Sequence, residues 1–184
     1  MVFDKLLGCL VSHKHKESRS LLYEQRTAVT ISNTVVASSF FNDTDCIGSR
    51  TIKANTVKVG DIFILRTNGD FSCIGNPTNT IEITIGSTSI IASTAQLINN
   101  VTNQYAGIYL EIQVVDNTAL GNVIAMGRTE LTGGNQRPLL CPVPLGIDWS
   151  VDNIVNVTYA WGAANASNIL TNVFATVEKL SFNE

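Results

Sequence analysis

The sequence predicts an all-β fold, an eight-stranded antiparallel sandwich, and three observations predict it. From Thr27 onward, apolar and polar residues alternate with a period of two. The alternating runs are short, and Asn-, Gly- and Ser-rich turns separate them. No useful stretch with a helical apolar period lies between them, which argues against parallel strands joined by helices.

The strands follow in order. Thr27–Ser38, "TAVTISNTVVAS", is the first. Asp61–Cys73 is the second, "DIFILR" running on into "GDFSC". In Thr78–Ile85, Ile81, Ile83 and Ile85 alternate with Glu82 and Thr84. Thr88–Ser93 is short and apolar, bounded by "IGSTS". In Gly107–Val115, Ile108, Leu110, Ile112 and Val114 alternate with Tyr109, Glu111 and Gln113. Asn122–Leu131 is the sixth strand, after the turn "DNTALGN". Asn153–Trp161 puts Val155, Val157, Tyr159 and Trp161 on one face, which reads as core. Asn168–Leu180 is the eighth, entered from the small-residue turn "GAANASN".

Two connections are long. Ser39–Gly60 joins the first two strands, and Thr132–Asp152 joins the sixth to the seventh. The latter contains Pro138, Pro142 and Pro144, which stiffen a loop without making helix or strand. Trp149 in that loop is the candidate for an exposed contact, weighed against simple loop packing.

Residues 1–26 read as an N-terminal arm and linker, and 27–184 as one domain; 184 residues suit a single domain. At the start of the arm, Phe3, Leu6, Leu7, Leu10 and Val11 fall on one helical stripe. Such a segment is too short to hold helix alone and needs a partner surface. "SHKHKESR" then reads as the solvated linker to the sandwich. No run is long enough to span a membrane as a helix, and "LLGCLV" is too short for a secretory core.

Charged residues are only 15% of the chain, against about 25% in ordinary domains. Thr, Ser and Asn supply the polarity instead, which suits a protein that packs against copies of itself. The net charge is −3. Residues 1–26 are slightly basic and the remainder acidic, so the body does not match nucleic acid.

Candidate chemistry is sparse, and neither an enzyme nor a cofactor is expected. His13 and His15 are the only two histidines. No zinc pattern accompanies them, and no Ser-His-Asp or Cys-His set can form within the β body. Glu82, Glu111 and Glu130 take outward strand positions, the ordinary solvent face. Asp43 and Asp45 share a loop but lack the spacing of a calcium loop. Tyr109, Tyr159 and Trp161 would make a sugar-stacking platform only if exposed together. Cys9, Cys46, Cys73 and Cys141 are too far apart in sequence for a zinc knuckle or redox pair and read as free thiols, Cys73 and Cys141 as buried ones. The sequons at Asn42, Asn100, Asn156 and Asn165 are what an Asn-rich chain yields by chance.

Eight strands, two long loops and an arm resemble a single jelly roll, two four-stranded sheets joined as Greek keys. "RTIKANTVKVGDIFILRTNGDFSC" (50–73), "NTIEITIGSTSI" (79–90) and "VTYAWGAANASNILTNVFATVEKL" (157–180) are similar to β-rich structural proteins of tailed phages and large icosahedral DNA viruses. The resemblance implies a virion structural protein, located in the capsid. The leading expectation is a penton, a homopentamer at the icosahedral vertices of a dsDNA virus. On it, Phe3, Leu6, Leu7 and Leu10 dock on a neighbouring capsid protein. The alternative is a trimeric fibre-head, receptor-binding or decoration protein that uses the long loops on a host receptor.

Overall fold

The computed structural model describes residues 16–130, 136–141 and 146–183. In chain order the strands are β1 (Lys16–Gln25), β2 (Val29–Ser32), β3 (Ser38–Ser39), β4 (Cys46–Gly48), β5 (Thr51–Ile52), β6 (Ile62–Cys73) and β7 (Thr78–Ile85). They continue as β8 (Thr88–Ala92), β9 (Gln96–Leu97), β10 (Val101–Asp116), β11 (Asn122–Glu130), β12 (Gln136–Cys141), β13 (Asn153–Trp161) and β14 (Ile169–Asn183). Every pairing is antiparallel. Among the described residues there is no helix, hence none that could cross a membrane.

Two sheets form. The larger runs β12-β11-β10-β6-β14-β1-β4, with β2 also on β14. The smaller runs β3-β13-β7-β8, with β5 on β13 and β9 on β7. Without β2, β4, β5, β9 and the β11–β12 hairpin, the frame is β1-β14-β6-β10 against β3-β13-β7-β8. The chain passes repeatedly from one sheet to the other, an order compatible with a jelly roll. The hairpin widens the larger sheet beyond that frame.

Alternation builds the core. β7 buries Ile81, Ile83 and Ile85 and leaves Glu82 outside. β13 buries Val155, Val157, Tyr159 and Trp161 beside them, in register with β7. From the opposite sheet come Phe63, Leu65 and Phe71 of β6, Leu110, Ile112 and Val114 of β10, and Leu170, Ala175 and Val177 of β14. The two inner faces meet as one apolar cluster.

The structure corrects four expectations. Residues 16–25 do not belong to an arm. They are β1, paired from Lys16↔Asn183 to Glu24↔Thr176 along β14. β4 covers only Tyr23–Gln25, so Glu17 and Arg19 stand on a free edge, where charge hides the strand from a hydrophobic pattern and guards the edge against aggregation. The predicted first strand is two strands, β2 on the larger sheet and β3 on the smaller. Asn33 breaks it, with a left-handed φ of 49°. The Pro-rich loop contains β12, with Pro138 opposite Arg128; an edge strand tolerates proline because its outer side needs no donor. The Ser39–Gly60 connection likewise holds the short strands β4 and β5.

Two buried tyrosines give the fold a pH dependence. Tyr23 donates to the Asn42 carbonyl at 2.8 Å, and Asn79 Nδ2 donates to the Tyr159 hydroxyl at 3.2 Å. Burial pushes the Tyr23 phenol up to about 12 and raises Tyr159 as well. The folded state therefore favours the neutral phenol. That stability is complete below the ordinary phenol value of about 10 and is lost as pH rises through the folded value. Urea midpoints are expected to fall steadily above a pH of about 10 as Tyr23 approaches its folded value. A midpoint unchanged across that range would contradict the assignment.

Candidate interaction site

Phe3, Leu6, Leu7, Leu10, His13 and His15 lie outside the described residues. Trp149 is not an exposed contact. It is 2% exposed, stacks on Phe63 with centroids 6.3 Å apart, and donates from Nε1 to the Asp116 carbonyl at 3.1 Å. A large apolar ring beside an open sandwich end lowers free energy by closing it, and the one polar atom finds a carbonyl. Tyr159 and Trp161 are core, as their strand phase predicts. They are therefore no platform with Tyr109. Cys46 and Cys73 are free thiols. Cys73 is buried, and burial raises its thiol above the ordinary value.

The acidic loop is a clasp. Arg50 Nε donates to Asp43 Oδ1 at 2.8 Å, and its NH2 pairs with Oδ2. NH1 donates to the Val155 carbonyl at 3.0 Å and to Asn156 Oδ1 at 2.9 Å. The guanidinium also lies 4.7 Å from the Phe41 ring centroid. Asp45 takes the Thr27 hydroxyl. Arg50 thus ties the loop to β13 while Asp43 orients it, and Asp45 ties the loop to Thr27. Among the described residues no group of three His, Cys, Asp or Glu stands together as a metal site.

The outer face of the larger sheet gathers a different set. Register puts Arg66 of β6 beside Tyr109 of β10, and Tyr109 beside Arg128 of β11. The next row aligns Glu178, Ile64, Glu111 and Met126. On the other side, Phe174, Asn68, Gly107 and Glu130 line up. All take outward phases of their strands. Between them lies an open depression of about 220 Å³, whose lining includes Arg66, Asn68, Tyr105, Tyr109, Arg128 and Phe174.

The polar groups there are ordered by one another. Glu178 Oε2 accepts from Arg19 NH2 at 2.5 Å and from Arg66 NH1 at 2.9 Å. The Arg66 guanidinium carbon is 5.5 Å from the Tyr109 ring centroid, a cation–π distance. The Tyr109 hydroxyl donates to Glu111, a bond that raises its phenol above the ordinary value, with burial adding to it. Arg128 Nε lies 3.5 Å from Glu130 Oε1. Strand alternation marks Arg66, Tyr109 and Arg128 as outward residues. It does not reveal that three separate strands set them side by side.

No protein-family model matches this chain, and no curated protein matches it. Among solved structures it is similar to the CBM2 module of Lactobacillus casei BL23 phage J-1 evolved Dit, at 8% identity and a TM-score of 0.38. That alignment covers 92% of this chain and 99% of the other.

Proposed function

We propose that this chain is a virion structural protein, a single jelly-roll subunit whose copies form the five-fold ring of a penton at icosahedral capsid vertices. The observation that carries the reading is the placement of exposed apolar side chains at both ends of a closed sandwich. At one end, the Asn55 amide donates to the Trp149 carbonyl and Asn117 Nδ2 to the Val57 carbonyl. The loops joined there expose Val59, Leu120 (75% exposed) and Val151. At the other end, Asn168 binds the amides of Ile74 and, through its carbonyl, Asn33. The neighbouring loops expose Val35, Val36 (69% exposed) and Ile74, and β9 exposes Leu97. β6 runs from one end to the other. A head-to-tail ring needs two different patches on each subunit, and low surface charge favours burying them.

The similarity of residues 50–73, 79–90 and 157–180 to virion proteins supports the same reading. The "KVGD" stretch is the turn into β6, where Gly60 has φ 90°, and "GAANASN" is the turn from β13 to β14. The stripe Phe3, Leu6, Leu7 and Leu10 would anchor the ring to a neighbouring capsid protein.

Native mass measurement and particle imaging test this. A pentamer that occupies five-fold vertices is the expected result. A trimer projecting from the particle would establish the fibre-head alternative, and a persistent monomer absent from particles would overturn both. Deletion of residues 1–15 is expected to leave the melting temperature unchanged and to abolish incorporation into particles. A deletion reaching into β1 would remove pairs with β14 and test folding instead.

A further inference from the structure

We propose that the depression on the outer face of the larger sheet binds a neutral hexose unit of a glycan. Its charges cancel. Arg19, Arg66 and Arg128 face Glu178 and Glu130, with Glu111 held by Tyr109. An anion brought here would meet carboxylates already placed on the guanidiniums, and a cation would meet the guanidiniums. A neutral ligand rich in hydroxyls loses nothing to this balance. It can use guanidinium N–H groups as donors, carboxylate oxygens as acceptors and the Asn68 amide as both.

The apolar side of a pyranose needs an aromatic surface, and the groove has one. Tyr105 is 51% exposed and Phe174 is 41% exposed, large rings in a protein that buries most of its aromatics. The C–H face of a sugar ring, slightly positive, lies well on the negative face of such a ring. Gly107 is what allows Tyr105 its position. A Cβ there would stand 2.4 Å from the Tyr105 hydroxyl oxygen and 2.8 Å from the ring carbon bearing it. The missing side chain lets the phenol lie along its own strand, over Gly107. The volume of about 220 Å³ falls below the roughly 300–1,000 Å³ of drug-sized pockets. It fits one sugar ring, with the rest of a glycan running over the open sheet. Binding at one such groove is weak, and several copies in an oligomer would raise it by avidity. The site stands whether or not the oligomer is a capsid ring.

The full-length protein is tested on an array of neutral, sialylated and sulfated glycans, and then by nuclear magnetic resonance titration with neutral hexose disaccharides. Retention of neutral hexose glycans is expected. Tyr105→Ala should weaken binding about tenfold, the change given by ~1.4 kcal/mol, and Tyr105→Phe should retain it. Gly107→Ala should weaken it too, with Tyr105 still present but displaced, and with no loss of melting temperature. Binding confined to anionic glycans, binding unchanged in Tyr105→Ala and Gly107→Ala, or no binding at all would each overturn the proposal. So would a particle structure in which another protein chain fills the groove.

Discussion

Lys179→Ala is expected to lower the unfolding free energy by about 3–5 kcal/mol, the cost of leaving a buried charge without its partner. Asp61 is 2% exposed, and its Oδ2 lies 2.8 Å from Lys179 Nζ, itself 15% exposed. The same carboxylate oxygen accepts the Lys58 amide at 2.8 Å, and Lys179 Nζ also donates to the Thr56 carbonyl at 2.6 Å. One ammonium group therefore fastens β14 to the turn that leads into β6. Water cannot readily replace it, because Phe63 lies beneath it at 6.0 Å and Trp149 stacks on Phe63. Total stabilities of domains are roughly 5–15 kcal/mol, so this change removes a large share. The double variant Asp61→Asn with Lys179→Met should recover most of the loss, since it leaves no isolated charge and an amide oxygen can still accept from Lys58. Urea denaturation read by tryptophan fluorescence measures all three proteins. A loss below about 1 kcal/mol in Lys179→Ala would mean that the pair behaves as a surface one.

The ends of β7 and β13 can be read from the sequence because Ile and Val alternate cleanly there with polar residues. β10 begins earlier than its alternation, since Val101–Tyr105 is largely exposed and leaves no apolar rhythm. The first part of β1 is hidden for the same reason: Glu17–Leu21 is exposed and held by pairing to β14, and only the far end of the strand buries side chains, Tyr23 and Gln25. β12 is masked by Pro138, which signals a loop unless the strand is known to be an edge. Trp149 shows a different limit. Loop position suggested exposure, but the ring closes the sandwich end over Phe63, a contact between residues far apart in the chain. The groove is the hardest feature to read. Each of Arg66, Tyr109 and Arg128 is an ordinary outward residue on its own strand. Only the register of β6, β10 and β11 makes them neighbours, and turn lengths and bulges fix that register.

Trp161→Ala is expected to cost about 3–5 kcal/mol, the range for deleting a large buried aromatic ring. Trp161 belongs to β13 of the smaller sheet, yet its Nε1 donates to the Ile31 carbonyl of β2, on the larger sheet, at 3.4 Å. Its ring meets Tyr159 edge to face at 5.0 Å, and Tyr159 meets Phe40 the same way at 5.9 Å. This chain of rings fills the space between the sheets near the "GAANASN" turn. Alanine would leave a cavity that two hydrogen-bonded sheets cannot collapse to fill. Trp161→Phe separates packing from the bond. It keeps a ring and leaves the Ile31 carbonyl without this donor, and the long bond implies a loss of only about 1 kcal/mol. Thermal unfolding at fixed protein concentration should place Trp161→Ala about 6–20 °C below the parent and Trp161→Phe only a few degrees below it. Equal losses in the two variants would mean that the bond to β2, and not the filled volume, is what joins the sheets at this end.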